Sequence, residues 1–268
     1  MEFYKMSGAG NDFIVINNLD LHVPEAGRRE LFSKWCRRGL SVGADGVILI
    51  EPSDEADFRM RYYNSDGGEA ETCGNGSRCI ARFAHEQGVA PASMTFQTLA
   101  GPYRARALEN GETVVWMTDA RGIRENIRIT GALFTGEAHF INTGVPHAVV
   151  FVEDLDGFDV FGVGMMLRHH AEFAPAGANA NFVRVRGRHD IDIRTYERGV
   201  ENETLACGTG SIASAVIAAR RGVAEPPVRF KTAGGETLTI GFQLGPGGAR
   251  DVTLQGGAVI VFRGYIKL

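Results

Sequence analysis

Two cysteines, Cys73 in "ETCGNGSRC" and Cys207 in "LACGTGSIA", each stand directly before a Gly-x-Gly turn that leads into a helix pattern. Backbone N–H groups at a helix start carry partial positive charge and stabilise an adjacent anion. A thiol placed there has its pKa lowered, so more of it is thiolate near neutral pH. Glycines two apart let the backbone close over the sulfur, or over a substrate carboxylate, without Cβ interference. A thiolate on one face of a carbon and a thiol on the other can remove a proton and return one, which inverts the centre. Carbanion charge passing into a neighbouring carboxylate would be stabilised by the helix-terminal amides. Cys79 lies six residues beyond Cys73 inside its helix pattern, and Cys36 falls in an amphipathic stretch, so both are expected as packing. With no CxxC pair, four cysteines suit neither a disulfide scaffold nor a structural zinc site, and no metal is expected.

The elements that must position these thiols are repeated. Cys73 and Cys207 are 134 residues apart (207 minus 73), half of the 268-residue chain. Without gaps at that offset, residues 62–101 and 196–235 are identical at 14 of 40 positions, including Tyr62/Tyr196, Glu69/Glu203, Gly88/Gly222 and Phe96/Phe230. Average composition would give roughly two or three, so an internal duplication is inferred. "FRMRYY" from Phe58 and "IDIRTY" from Ile191 alternate apolar and polar residues as half-buried strands do. After each cysteine turn, "SRCIARFAHEQG" and "SIASAVIAARRG" read as helices closed by a C-terminal glycine. Strand patterns follow, and stretches near Glu25–Arg38 and Val160–His170 supply an outer helix to each half. The fold class is α/β (α+β), with two homologous domains, each a strand-rich wrap around a central helix. The linker is placed near residues 119–131, and the domains at 1–118 plus 259–268 and 119–258.

Composition narrows the function. With a net charge of −4, the chain has no basic footprint, which argues against nucleic acid as partner. No apolar run approaches the ~20 residues that cross a bilayer, and "MEFYKMSGAG" lacks the layout of a secretion signal, so a cytoplasmic protein without membrane partners is expected.

"KMSGAGNDF", "GADG" at Gly43, "YNSDGGEAETCGNGSRC", "GVPH" at Gly144 and "YERGVENETLACGTG" are similar, in order, to the successive signatures of the diaminopimelate epimerase family. The resemblance implies a cofactor-independent isomerase that converts LL-2,6-diaminopimelate to the meso form, for lysine and peptidoglycan synthesis. It also implies that the last strand returns to the first domain, and by analogy allows a homodimer. Carried over residue by residue, Cys73 and Cys207 are the acid/base pair, and Gly74-Asn75 and Gly208-Thr209 the amide cradles. Asn11, Asn64, Asn179 and Arg198 hold the amino-acid substrate, Glu197 accepts from its ammonium, and His147 is an auxiliary to a thiol. Asn181 competes with Asn179 for its role. Each has a structural alternative: turn residues for Asn11 and Asn64, a strand-end ion pair for Glu197-Arg198, and packing for His147. Val145 stands where many members have asparagine, and Gly46 where some have glutamine.

Three rivals are weighed. A cofactor-independent racemase of another amino acid shares the scaffold, although proline-type relatives carry histidine where Asn75 stands. A pyridoxal enzyme needs a Schiff-base lysine, and Lys5, Lys34, Lys231 and Lys267 all lie outside the cysteine blocks. A thiol redox protein would use the same two cysteines as a switch. A non-enzyme binding module gives no reason for duplicated helix-terminal thiols.

Overall fold

The computed structural model describes residues 1–71 and 73–267. Contacts divide the chain into two units, Met1–Trp116 with Gln255–Leu268, and Met117–Leu254. The first runs β1 (Glu2–Gly8), β2 (Asn11–Asn17), α1 (Arg28–Cys36), β3 (Gly46–Glu51), β4 (Phe58–Asn64), β5 (Glu69–Ala70), α2 (Gly74–Glu86), β6 (Ser93–Thr98), β7 (Gly101–Ala107) and β8 (Glu112–Trp116). The second runs β9 (Ala120–Thr130), β10 (Thr135–Asn142), β11 (Pro146–Phe151), α3 (Val160–Arg168), β12 (Asn179–Gly187), β13 (Asp190–Glu197), β14 (Asn202–Thr204), α4 (Gly208–Arg220), β15 (Val228–Lys231), β16 (Thr237–Gly245) and most of β17 (Gly248–Gly257). β18 (Val259–Tyr265) then pairs with β1 in the first unit.

The pairings repeat. In unit 1 the order is β18–β1–β2–β3–β4–β6–β7–β8, parallel only at β2–β3 and β4–β6. In unit 2 it is β9–β10–β11–β12–β13–β15–β16, parallel only at β11–β12 and β13–β15. This common order is the duplication in three dimensions, and the mixed strand-rich class expected from the sequence is what forms.

Two readings are corrected. Segment 119–131 is largely strand, the 11-residue β9 paired with β10, rather than a linker. Most β9 side chains are exposed, so its strand character comes from the ladder and leaves no hydrophobic pattern to read. Tyr62 and Tyr196 are also not equivalent. Val47 lies opposite Tyr63, and Ala180 opposite Tyr196, and these two tyrosines pack in the outer-helix clusters. Tyr63 therefore matches Tyr196 at an offset of 133, and the β13–β14 turn carries the extra residue that restores 134 at Glu69/Glu203. A slip of one residue would have turned the strand inside out, so burial overrides the identity.

Each unit buries its sheet on two sides. Phe32, Trp35 and Cys36 of α1 pack on Ile14, Ile16, Val47 and Leu49, while Val160, Val163 and Leu167 of α3 pack on Ala148, Val150, Ala180 and Phe182. The central helices are buried over most of their length, α4 nearly all round from Gly208 to Ala218. Both end as read from their glycines. Gly88 and Gly222 adopt left-handed φ values of 69° and 72°. The next N–H groups, of Val89 and Val223, then close back on the carbonyls of Ala84 and Ala218 at 2.8 and 3.0 Å. Among the described residues no helix is long and apolar enough to cross a membrane.

Candidate active site

Both cysteines are the N-caps of the central helices. Cys73 (φ −144°, ψ 120°) and Cys207 (φ −130°, ψ 107°) are extended, and the helix begins at the glycine that follows each. Their carbonyls accept the first helical bonds, from the N–H groups of Ser77 (2.7 Å) and Ser211 (2.9 Å). The Cys73 Sγ accepts from the Gly76 N–H at 3.5 Å, and the Cys207 Sγ lies 3.5 Å from the Thr209 hydroxyl. Gly74-Asn75 and Gly208-Thr209 supply the first-turn N–H groups, which have no partner within a helix and suit an anion. Within its own unit, each thiol therefore sits where the cysteine-Gly-x-Gly pattern places it.

In unit 1, Asn75 Nδ2 donates to Asn11 Oδ1 at 2.7 Å, and Asn11 Nδ2 donates to Asp45 Oδ2 at 2.9 Å. Buried Arg78 donates to Asn75 Oδ1 at 3.0 Å, and Arg38 to Asp45 at 2.8 Å. Asn11 and Asn75 are thus joined and held from both sides. Asp12 next door is raised by burial, but hydrogen bonds and charge from Arg38 and Lys5 prevail and lower its carboxyl to about 2. Asn64 ends β4 opposite Gly46 and is exposed; no hydrogen bond of its side chain joins it to this set among the described residues. A Cβ at Gly46 would stand 2.5 Å from the Tyr63 carbonyl oxygen and 2.7 Å from the Tyr62 ring, so a side chain there would require the Tyr63 backbone to shift. Sequence reasoning missed Arg38, Asp45 and Arg78 as supports. Their role depends on strand pairing and helix packing, and only "GAD" hinted at one of them.

In unit 2, Asn179 Oδ1 accepts from the Arg198 N–H at 2.7 Å, and its Nδ2 donates to the Pro146 carbonyl at 3.3 Å. The Arg198 guanidinium reaches the Ala176 carbonyl at 3.2 Å. Glu197 and Arg198 form no salt bridge among the described residues, and burial pushes the Glu197 carboxyl up. His147 is fully buried; desolvation, then the charge of Arg198, lower its imidazole to about 3. Asn181, the competitor of Asn179, is also fully buried, with its side chain bonded to His147, Ala148 and Thr195.

The other two cysteines are packing residues. Cys79 is fully buried, and burial pushes the Cys36 thiol up to about 11. Iodoacetamide at mildly alkaline pH is expected to label Cys73 and Cys207 before Cys36 and Cys79 in peptide mass mapping. The reverse order would remove the case for reactive helix-terminal thiols.

Two strand-wrapped helices, each capped by a cysteine, define the class. The same fold occurs in the crystal structure of a Bacillus anthracis phenazine biosynthesis protein of the PhzF family, with a TM-score of 0.75 at 16% identity, covering all of this chain and 99% of that one. It occurs again in a hydroxyproline epimerase from Agrobacterium vitis, with a TM-score of 0.70 at 17% identity over 98% of this chain and 91% of that one. Identities this low carry the fold alone. The family model described as diaminopimelate epimerase matches residues 3–122 and 139–246. A diaminopimelate epimerase of Aquifex aeolicus (strain VF5) is 44% identical over 278 residues, 100% of this chain and 98% of its own. One from Chlorobaculum tepidum is 42% identical over 273 residues, 98% of this chain and all of its own. The chain belongs to the diaminopimelate epimerase family and is an isomerase, as the motif order implied.

Proposed function

We propose that this protein interconverts LL-2,6-diaminopimelate and its meso isomer without a cofactor, with Cys73 and Cys207 as the acid/base pair, in the supply of lysine and peptidoglycan precursors. The observation that carries this reading is the matched placement of the two thiols, each an extended N-cap on a buried, glycine-opened helix. In one direction a thiolate takes the α-proton, and the electron pair left on Cα spreads into the carboxylate. The other cysteine, a thiol, gives its proton to the opposite face and becomes the thiolate. The reverse direction exchanges the roles. The first-turn amides of Gly74-Asn75 and Gly208-Thr209 stabilise the carboxylate as it gains charge.

The remaining residues bind and orient the small-molecule substrate. Arg198 offers a planar fork to a carboxylate. Glu197 accepts from an ammonium group, and Asn11, Asn64 and Asn179 hold the polar ends, with His147 as auxiliary. A second reading, another amino acid on the same scaffold, is favoured by Val145, which brings no side-chain hydrogen bond, and by Gly46, which offers only backbone where some members have glutamine.

The test is the reduced protein with LL-diaminopimelate in deuterated water, followed by NMR at the α-position. Deuterium entry together with the meso isomer is expected. No exchange with diaminopimelate but exchange with another amino acid of a panel would replace the first reading by the second.

A further inference from the structure

The two units differ beside their cysteine turns. With Tyr63 matched to Tyr196, the ladders make Phe13, Ile48 and Tyr62 the counterparts of His147, Asn181 and Thr195. The central helices confirm the match. A Cβ at Gly76 would meet Ile48 Cδ1 at 3.1 Å, and one at Gly210 would meet Asn181 Oδ1 at 2.1 Å. An apolar and aromatic bed in unit 1 is thus a buried polar one in unit 2, and Asn181 touches both His147 and the first turn of α4.

The direction of every hydrogen bond in this bed follows from one group that cannot change role. The Ala148 backbone carbonyl only accepts, and the Asn181 side chain meets it at 2.9 Å, so that end of the amide must be the NH₂. The same NH₂ lies 3.1 Å from His147 Nδ1, which must therefore accept, while Asn181 Oδ1 accepts from the Thr195 hydroxyl at 3.1 Å. The ring proton is left on Nε2. That atom is enclosed and meets no hydrogen-bond partner among the described residues.

We infer that Asn181 is a positioning residue, which holds His147 as the neutral tautomer with its proton on Nε2, one side chain away from the α4 terminus that carries Cys207. The burial already described, and the charge of Arg198, keep the ring neutral in the same sense. The functional consequence rests on the two-cysteine reading above. An imidazolium beside a helix-terminal thiol favours the thiolate. A ring kept neutral leaves Cys207 free to alternate between thiol and thiolate, as reversible proton transfer requires.

The first test needs no variant of Asn181: long-range ¹H–¹⁵N correlation spectra of the ¹⁵N-labelled full chain, with His147 assigned by its loss in His147→Phe. Nδ1 is expected unprotonated and Nε2 protonated, unchanged from mildly acidic to alkaline pH. A proton on Nδ1, or a charged ring, would overturn the inference. Asn181→Asp presents only acceptors and is expected to move the proton to Nδ1, with kcat lowered about 10- to 100-fold and KM within about threefold. Asn181→Leu, which has the same branching and number of side-chain heavy atoms, serves if the aspartate does not fold, and is expected to release the tautomer with a loss of kcat in the same direction. A displaced tautomer with unchanged kcat would overturn the positioning role. A wild-type protein that exchanges no α-proton would instead sink the proposed function, and the spectra would still decide the tautomer.

Discussion

Cys73→Ser and Cys207→Ser are each expected to slow epimerisation by about 10²- to 10⁴-fold, the range by which a positioned proton-transfer group accelerates a reaction. Serine puts an oxygen where the capping sulfur stands, and it is among the best capping residues, so the helix should not suffer. What is lost is acidity. The field of a helix terminus brings a thiol into the working range, whereas a hydroxyl stays protonated there and cannot act as the base. The measurement is the rate of meso isomer formation alongside thermal unfolding of each variant. A variant with native unfolding and a rate within about tenfold of the parent would remove that cysteine from the acid/base pair. Cys36→Ala is the control, since Cys36 packs between α1 and its sheet and belongs to no proposed step.

The largest expected effect on stability lies in unit 1, at the buried pair Arg28–Glu51. Arg28 and Glu51 are each 5% exposed, and Arg28 Nη2 lies 2.8 Å from Glu51 Oε1. Asn18 Nδ2 donates to the same oxygen at 2.8 Å, Arg61 reaches Oε2 at 3.3 Å, and Arg28 also donates to the Tyr63 hydroxyl at 2.9 Å. Glu51→Gln keeps the volume but removes the buried counter-ion of Arg28, which is left with only the exposed carboxylate of Glu25 at 3.2 Å. It should cost about 3–5 kcal/mol, the usual penalty for breaking such a pair from one side. Replacing both partners with methionine removes both desolvation penalties, so the double variant should be more stable than Glu51→Gln. Denaturant unfolding of the three proteins checks this. A loss below about 1 kcal/mol in Glu51→Gln, the size of a surface ion pair, would show that the pair is screened by water.

The parts of this protein legible in its sequence are those whose cause is local. A cysteine before Gly-x-Gly, followed by an apolar run and a closing glycine, is a capped helix wherever it occurs, and Gly88 and Gly222 end α2 and α4 as read. The duplication was legible because both copies must bury the same faces. The failures share another cause. β9 is held by its ladder to β10 and carries no alternation to read, and the identity of Tyr62 with Tyr196 concealed a register that burial sets at Tyr63.

By itself, the sequence determined the family, the repeated plan and the two thiols, because backbone propensity and side-chain chemistry operate over a few residues. Only the tertiary structure decided which side chains meet. Asp45 reaches Asn11, Asn179 takes the backbone N–H of Arg198, and Asn181 rather than Asn179 is bonded to His147. Adjacent residues on a strand point to opposite faces, and residues two apart share one face but meet different neighbours. Which asparagine of "GANAN" meets the histidine is therefore a matter of register between β11 and β12, and register is set by the core that both strands bury.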